Sequence, residues 1–291
     1  MSVSPRDTPA GTGGSPRTGR PPGPVGSPGS VILHATDNGV SWLTLNRPEA
    51  LHAITPDLRE QLISRLVAAS ADPAVRAVVI TASGRAFCAG ADLRAGPSRR
   101  APAAVSGDVA RTIRNGAQRL VEAVLDCEKP VIAAVNGIAA GLGAHLALAC
   151  DLVLSAESAQ FIEVFVRRGL VPDGGGAYLL PRLVGPRRAK ELLFFGDALT
   201  AADAERMGLV NRVVPDAELT DTARSWAERL ATGPTRTFAL TKQLVNASLD
   251  TDRATAFAAE AAAQEINMAT ADAREGLTSF TERRTPEFRG R

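Results

Sequence analysis

The sequence lacks the paired, closely spaced Cys and His ligands that a zinc site needs. Its three cysteines, Cys88, Cys127 and Cys150, are odd in number, widely spaced and set among apolar neighbours. That pattern predicts free thiols in a reducing compartment, hence a cytoplasmic protein, and argues against a disulfide framework. Charge of one sign is scarce as well: the formal net charge is +2, with arginine spread along the chain. Such a balance argues against a nucleic-acid groove and against a polybasic membrane patch. The longest apolar runs, such as Val131 to Val135 and Ala144 to Cys150, are far too short to cross a bilayer. Neither GxGxxG nor GxxxxGK followed by Ser or Thr occurs, which excludes the dinucleotide and phosphate-loop fingerprints.

What is present is apolar substance. The chain has 291 residues, 45% of them hydrophobic, enough for one large domain or two modest ones. Residues 1–30 stand apart, being mostly Gly, Pro, Ser, Thr and Arg. They bury too little apolar surface to offset chain entropy, so a disordered extension is expected there. No apolar h-region follows their basic residues, so they do not read as a secretory signal.

Order is predicted from about Val31. Val40 to Leu45 is β-rich and runs into the turn Asn46-Arg47-Pro48. Thr55-Pro56 opens a helix, with Thr55 as cap and Pro56 in the first helical position. Leu58, Leu62 and Leu66 recur four apart and form its buried stripe. Val75 to Thr81, Val131 to Val135 and Leu152 to Leu154 are short apolar runs that suit strands buried on both faces. Val109 to Leu125 reads as one long helix, Ala144 to Cys150 as a short apolar one, and Phe161 as the start of another extended segment. The alternation predicts an α/β core over 31–221 with largely parallel strands. From about Thr222 the pattern becomes helix after helix, a separate helical region over 222–291 suited to packing on a neighbouring subunit.

Two glycine-bearing turns follow buried strands: Phe87-Cys88-Ala89-Gly90-Ala91-Asp92-Leu93, and Asn136-Gly137 through Gly141-Leu142-Gly143-Ala144-His145. Either alone is explained by a tight turn in which glycine permits unusual φ. The second leads straight into a helix, so its N–H groups and the positive dipole end point at one place. A developing negative oxygen needs such donors, and each stabilises a transition state by ~3–4 kcal/mol.

At these residues the chain resembles the crotonase, or enoyl-CoA hydratase/isomerase, family. The matching stretches are Leu51-His52-Ala53, Ala86 to Leu93, Pro130 to Gly137, Gly169 to Gly176, Ala204 to Val213, and Glu275-Gly276 to Arg284. They occur in family order from about Val31 to the C-terminus. The resemblance implies a crotonase-like spiral of ββα units with a C-terminal helical trimerisation region, assembled as a homotrimer or hexamer. It implies an enzyme of fatty acid metabolism with no permanently bound cofactor and no metal. Coenzyme A would arrive as part of an acyl-CoA thioester substrate. By position, the two oxyanion donors would be the N–H groups of Ala91 and Leu142. Coenzyme A would lie along Leu51, Ala53, Ala89, Asp92, Leu93 and Arg94, with Phe280 and Arg283 reaching it from a neighbouring subunit. Gly141 and Phe165 would face the acyl group.

The chain departs from the hydratase pattern. Typical enoyl-CoA hydratases carry two glutamates, a pair suited to activating water and moving the α-proton. Those positions fall on His145 and Phe165 here. Phenylalanine cannot transfer a proton, and Glu163, two residues earlier, reads as mainly structural. Asp173, in Gly169-Leu170-Val171-Pro172-Asp173, is the remaining acid. Double-bond isomerases similar to this chain carry a catalytic acid at its position, and a dehalogenating branch uses an Asp there as nucleophile. One carboxylate suffices for isomerisation, since it can take a proton from one carbon and return it to another. The ordinary alternative for Asp173 is a turn residue or helix cap before three glycines. His145 is the second candidate for the proton; its ordinary role is to shape the pocket. His34 and His52 read as surface or structural. Isomerisation of an acyl-CoA with a hydrophobic acyl group, aromatic and cyclic ones included, is therefore favoured over hydration. A CoA-thioester hydrolase or dehalogenase with Asp173 as nucleophile, and a non-catalytic acyl-CoA binder, remain the alternatives.

Overall fold

The computed structural model describes residues 30–95 and 107–291. The extension expected to be disordered therefore lies outside the described residues, apart from Ser30. The first two strands, β1 (Ile32–Asp37) and β2 (Val40–Leu45), form an antiparallel hairpin. Its turn is Asn38-Gly39, both at positive φ (50° and 77°), which matches the right-handed twist of the paired strands. The first helix, α1 (Pro56–Ala71), starts where the sequence predicts: the Thr55 side chain accepts the Leu58 N–H at 3.2 Å. Leu58, Leu62 and Leu66 are fully buried along it.

From there the chain climbs as a spiral. Each turn contributes one strand to a large sheet, one to a small sheet, and then helix. The first turn gives β3 (Ala77–Ala82) and β4 (Ala86–Cys88), followed by α2 (Asp108–Ile113) and α3 (Arg119–Leu125). The second gives β5 (Val131–Val135), β6 (Ile138–Ala140) and α4 (Leu142–Leu148). The third gives β7 (Leu152–Ala156), β8 (Gln160–Ile162) and α5 (Gly176–Phe195). A last short strand joins each sheet: β9 (Ala198–Thr200) in the small one and, after α6 (Ala201–Met207), β10 (Arg212–Val214) in the large one.

The large sheet runs β1-β2-β3-β5-β7-β10 and the small one β4-β6-β8-β9. All pairings are parallel except β1 with β2 and β8 with β9. Burial on both faces explains why β3 and β5 read as continuous apolar runs: Ala77 to Ile80 and all of β5 are buried. The helix expected over Val109 to Leu125 is interrupted by a π-turn at Arg114–Gln118, between α2 and α3.

The C-terminal part consists of α7 (Leu219–Ala231), α8 (Thr235–Ser248), α9 (Arg253–Met268) and α10 (Ala271–Glu282). Leu219, Ala223, Ala227 and Ala231 of α7 join the main core, while α9 buries none of its residues. The last residues are tied down: Asp272 accepts the N–H groups of Arg289 and Gly290, both at 2.7 Å. Among the described residues, no helix is long and apolar enough to cross a membrane.

Candidate active site

Three successive turns of the spiral deliver the C-terminal ends of β4, β6 and β8 to one place. Paired neighbours in the small sheet carry the chain directly into Ala89–Asp92, Gly141–Leu142 and Glu163–Phe165. Two glycines allow the first two of these turns to meet. A Cβ at Gly143 would lie 2.2 Å from the Cys88 carbonyl oxygen, and one at Gly90 would lie 2.8 Å from the Ala140 oxygen. Gly90 also needs its positive φ of 93°. The same imaginary Gly90 Cβ is 3.5 Å from the Leu142 nitrogen, so the two proposed donor segments adjoin. Gly141 (φ 51°) donates its N–H to the Ile162 oxygen at 2.8 Å and accepts the His145 N–H at 3.0 Å.

The N–H groups of Ala91 and Leu142 have no hydrogen-bond acceptor among the described residues. Ile54 N–H donates to the Gly90 oxygen and Asp92 N–H to the Ile54 oxygen, which leaves Ala91 between them with its donor unused.

The residues assigned to coenzyme A are brought together by the same ladder. Ala89 N–H donates to the Leu51 oxygen at 2.9 Å, so Leu51–Ala53 lies along Ala89–Asp92. Leu51 and His52 both take left-handed φ (48° and 56°). Arg47, read from sequence only as part of a turn, locks this arrangement. Its guanidinium donates to the Ala53 oxygen and pairs with Asp92 at 3.4 Å. Arg94 pairs with Asp92 at 3.1 Å, and that hydrogen bond is the main reason the Asp92 carboxyl sits below the usual carboxylate range. Leu93 and Arg94 are exposed beside it. Phe280 and Arg283, at the end of α10, are exposed, and no hydrogen bond, ion pair or ring contact joins them to this cluster among the described residues.

His52 is structural, as expected: it is fully buried, its Nδ1 accepts the Arg47 N–H at 3.0 Å, and its Nε2 donates to the Ser83 oxygen at 2.7 Å. The Cys88 thiol lies in a site turn but is pushed up to about 12 by burial, so it is no thiolate nucleophile near neutral pH.

His145, on α4, is fully buried and stacks on Phe165 with ring centroids 5.4 Å apart and planes 8° from parallel. Its Nε2 is 2.9 Å from the Glu163 carboxylate. The sequence reading set Glu163 apart from the site because of its spacing from Phe165. In the structure both touch the same ring, one through its carboxylate and the other face to face.

Asp173 is half-buried on the loop before α5. It does not cap that helix: the N-cap is Gly175, with no side-chain cap bond. The carboxylate makes no hydrogen bond or ion pair among the described residues. Burial is the largest influence on its carboxyl and pushes the pKa up from the usual value. Gly174, beside it, faces Leu142, Ala117 of the π-turn and His145. Asp173, Phe165 and the Leu142–His145 turn of α4 thus converge. Among the described residues, no group of three or more His, Cys, Asp or Glu is placed to hold a metal ion.

The family model described as enoyl-CoA hydratase/isomerase matches residues 35–291. The 1,2-epoxyphenylacetyl-CoA isomerase of Escherichia coli is 40% identical over 263 residues, covering 89% of this chain and 98% of that protein. The crotonyl-CoA hydratase of Syntrophomonas wolfei is 38% identical over 260 residues, covering 89% and 97%. A crystal structure of an enoyl-CoA hydratase from Bacillus anthracis superposes with a TM-score of 0.83 at 34% identity, covering 90% of this chain and all of the other. The chain therefore belongs to the enoyl-CoA hydratase/isomerase family, enzymes that act on CoA thioesters.

Proposed function

We propose that this enzyme shifts a double bond within an enoyl-CoA thioester, with Asp173 as the proton shuttle. The observation that carries the reading is the state of the carboxylates. Asp173 is the one at the convergence of the turns that has no partner among the described residues, and burial favours its protonated form. Glu163 is committed to His145, and Phe165 holds no proton. A carboxylate with a raised pKa is suited to taking a proton from one carbon and returning it to another near neutral pH.

The N–H groups of Ala91 and Leu142 would hold the thioester oxygen as negative charge develops on it. Two donors at ~3–4 kcal/mol each would supply a large share of the stabilisation of a dienolate. Asp173 accepts the proton from the carbon next to the carbonyl side of the chain and delivers it further along. Leu51, Ala53, Ala89, Asp92, Leu93 and Arg94 would line the coenzyme A moiety. Gly141, Phe165 and the His145 ring would wall the acyl group, with Gly141 and the Phe165 ring meeting its apolar carbons. Hydration is disfavoured because it needs a second carboxylate to activate water, and none without a partner is placed for it among the described residues.

A homotrimer or hexamer belongs to the same reading. The α9 helix buries nothing within the chain, and Phe257, Ile266, Met268, Leu277 and Phe280 of α9 and α10 are exposed. Several large apolar side chains exposed on two neighbouring helices suit an association surface. In such an assembly Phe280 and Arg283 of one subunit would approach a neighbour's coenzyme A. Three buried free thiols fit a cytoplasmic setting.

Proton exchange in deuterated water tests the mechanism. Unsaturated acyl-CoAs should gain deuterium at the donor and acceptor carbons with wild type, and Asp173→Asn should lose this by ~10²–10⁴-fold. Undiminished exchange in Asp173→Asn would remove the shuttle assignment. A covalent adduct on Asp173, seen by mass spectrometry in a single turnover, would make it a nucleophile instead.

A further inference from the structure

Only one of the two ring nitrogens of His145 is used. Nε2 faces the Glu163 carboxylate at 2.9 Å, and Glu163 is itself only 5% exposed. With Glu163 as the acceptor of this bond, Nε2 carries the hydrogen, and an uncharged ring then presents a lone pair at Nδ1. The ring is fully buried, and Nδ1 has no hydrogen-bond partner among the described residues. Leaving a buried acceptor unpaired costs ~1–3 kcal/mol, so such a group calls for an explanation.

The ring cannot turn away to satisfy itself. Phe165 stacks on one face, and Gly176 approaches so closely that a Cβ there would lie 2.2 Å from Cε1 and Nε2. Nδ1 is aimed toward Gly174, where an added Cβ would lie 3.7 Å from it and 2.6 Å from Leu142 Cδ1. Gly174 directly follows Asp173. His145 also follows Leu142 by three residues on α4, so the two share a helix face. The Leu142 N–H, one of the two proposed oxyanion donors, therefore opens the same helical turn that carries Nδ1.

We propose that the Glu163–His145 pair is a specificity element that holds Nδ1 as a hydrogen-bond acceptor for a hydroxyl group on the acyl chain of the thioester. The inference rests on the acyl-CoA reading of the site. Glu163 acts here through His145 as a positioning residue, fixing which nitrogen carries the hydrogen. Discrimination follows from the unpaired acceptor: a hydroxylated chain satisfies Nδ1, whereas its deoxy counterpart leaves it buried and unpaired.

The test is a binding series of saturated acyl-CoAs of one chain length, the deoxy parent and its derivatives with a hydroxyl at C2, C3 or C4. At least one hydroxylated member should bind wild type about tenfold more tightly than the parent. In His145→Leu and Glu163→Leu that ratio should fall close to one. Both substitutions also alter packing, so wild type carries a second readout. The chain has three histidines, so ¹⁵N-histidine labelling gives a resolvable spectrum. His145 should show the Nε2–H tautomer, with the Nδ1 resonance moving when the tight hydroxylated ligand binds and not when the parent binds. A parent that binds as tightly as every hydroxylated member, or a hydrogen on Nδ1 in the ligand-free protein, would overturn the inference while leaving the acyl-CoA reading intact. Failure of every member to bind would overturn both.

Discussion

Gly143 packs against Cys88 so closely that a single added methyl would come within 2.2 Å of the Cys88 carbonyl oxygen. The contact is backbone against backbone, so no flexible side chain can yield. It joins the turn after β4 to the start of α4, the two segments that carry Ala91 and Leu142. Gly143→Ala should therefore destabilise the fold by ~3 kcal/mol or more. Activity should fall further than the loss of folded protein explains, because the two N–H groups would be pushed apart. Thermal melts alongside kcat measured on the folded fraction check this; a variant with wild-type kcat would separate the contact from the reaction.

Asp173→Asn should move stability and activity in opposite directions. Burial raises the Asp173 pKa, so the folded protein holds this proton more tightly than the unfolded chain does. The ionised form therefore costs stability at pH values above the folded pKa, and the cost vanishes below the usual carboxylate range. Asparagine carries no charge and removes the cost. Its Tm should exceed that of wild type near neutral pH, with the gap closing as pH falls toward 3, while exchange activity is lost. A Tm difference that widens on acidification would contradict the assigned direction.

Arg47 should matter for coenzyme A without touching the proton chemistry. It holds the Ala53 oxygen and Asp92 together and so sets the spacing of the two strips assigned to the cofactor moiety. Arg47→Ala should raise KM for the thioester several-fold and lower stability by ~1–3 kcal/mol, with kcat changing less. Steady-state kinetics on one enoyl-CoA substrate decides it. A fall in kcat at constant KM would point to a different role.

Association through the C-terminal helices predicts a defined oligomer. Light scattering after gel filtration should give a trimer or hexamer for wild type. Charge on the exposed apolar positions of α9, in Phe257→Glu combined with Ile266→Glu, should shift it toward smaller species. Phe280→Ala and Arg283→Ala should raise KM if these residues reach a neighbour's coenzyme A.

Much of the local architecture is legible in the sequence alone. Thr55-Pro56 marks the start of α1 because the cap and the first-turn proline act within four residues. Val131 to Val135 marks β5 to the residue because a strand buried on both faces needs an unbroken apolar run. The π-turn between α2 and α3 was not readable, since its register change leaves the apolar spacing nearly intact. Nor was the role of Arg47, whose partners lie beyond its own turn, at Ala53 and Asp92.

The sequence by itself determined the family resemblance and the two glycine turns, and it placed His145 and Phe165 where the resemblance expects glutamates. These are matters of residue identity and near-neighbour spacing. Only the tertiary structure decided that Glu163 belongs with His145, that Asp173 does not cap α5, and that Nδ1 of His145 has no partner among the described residues. Those facts depend on three turns of a spiral arriving at one point, where atoms distant in the chain come within hydrogen-bonding reach.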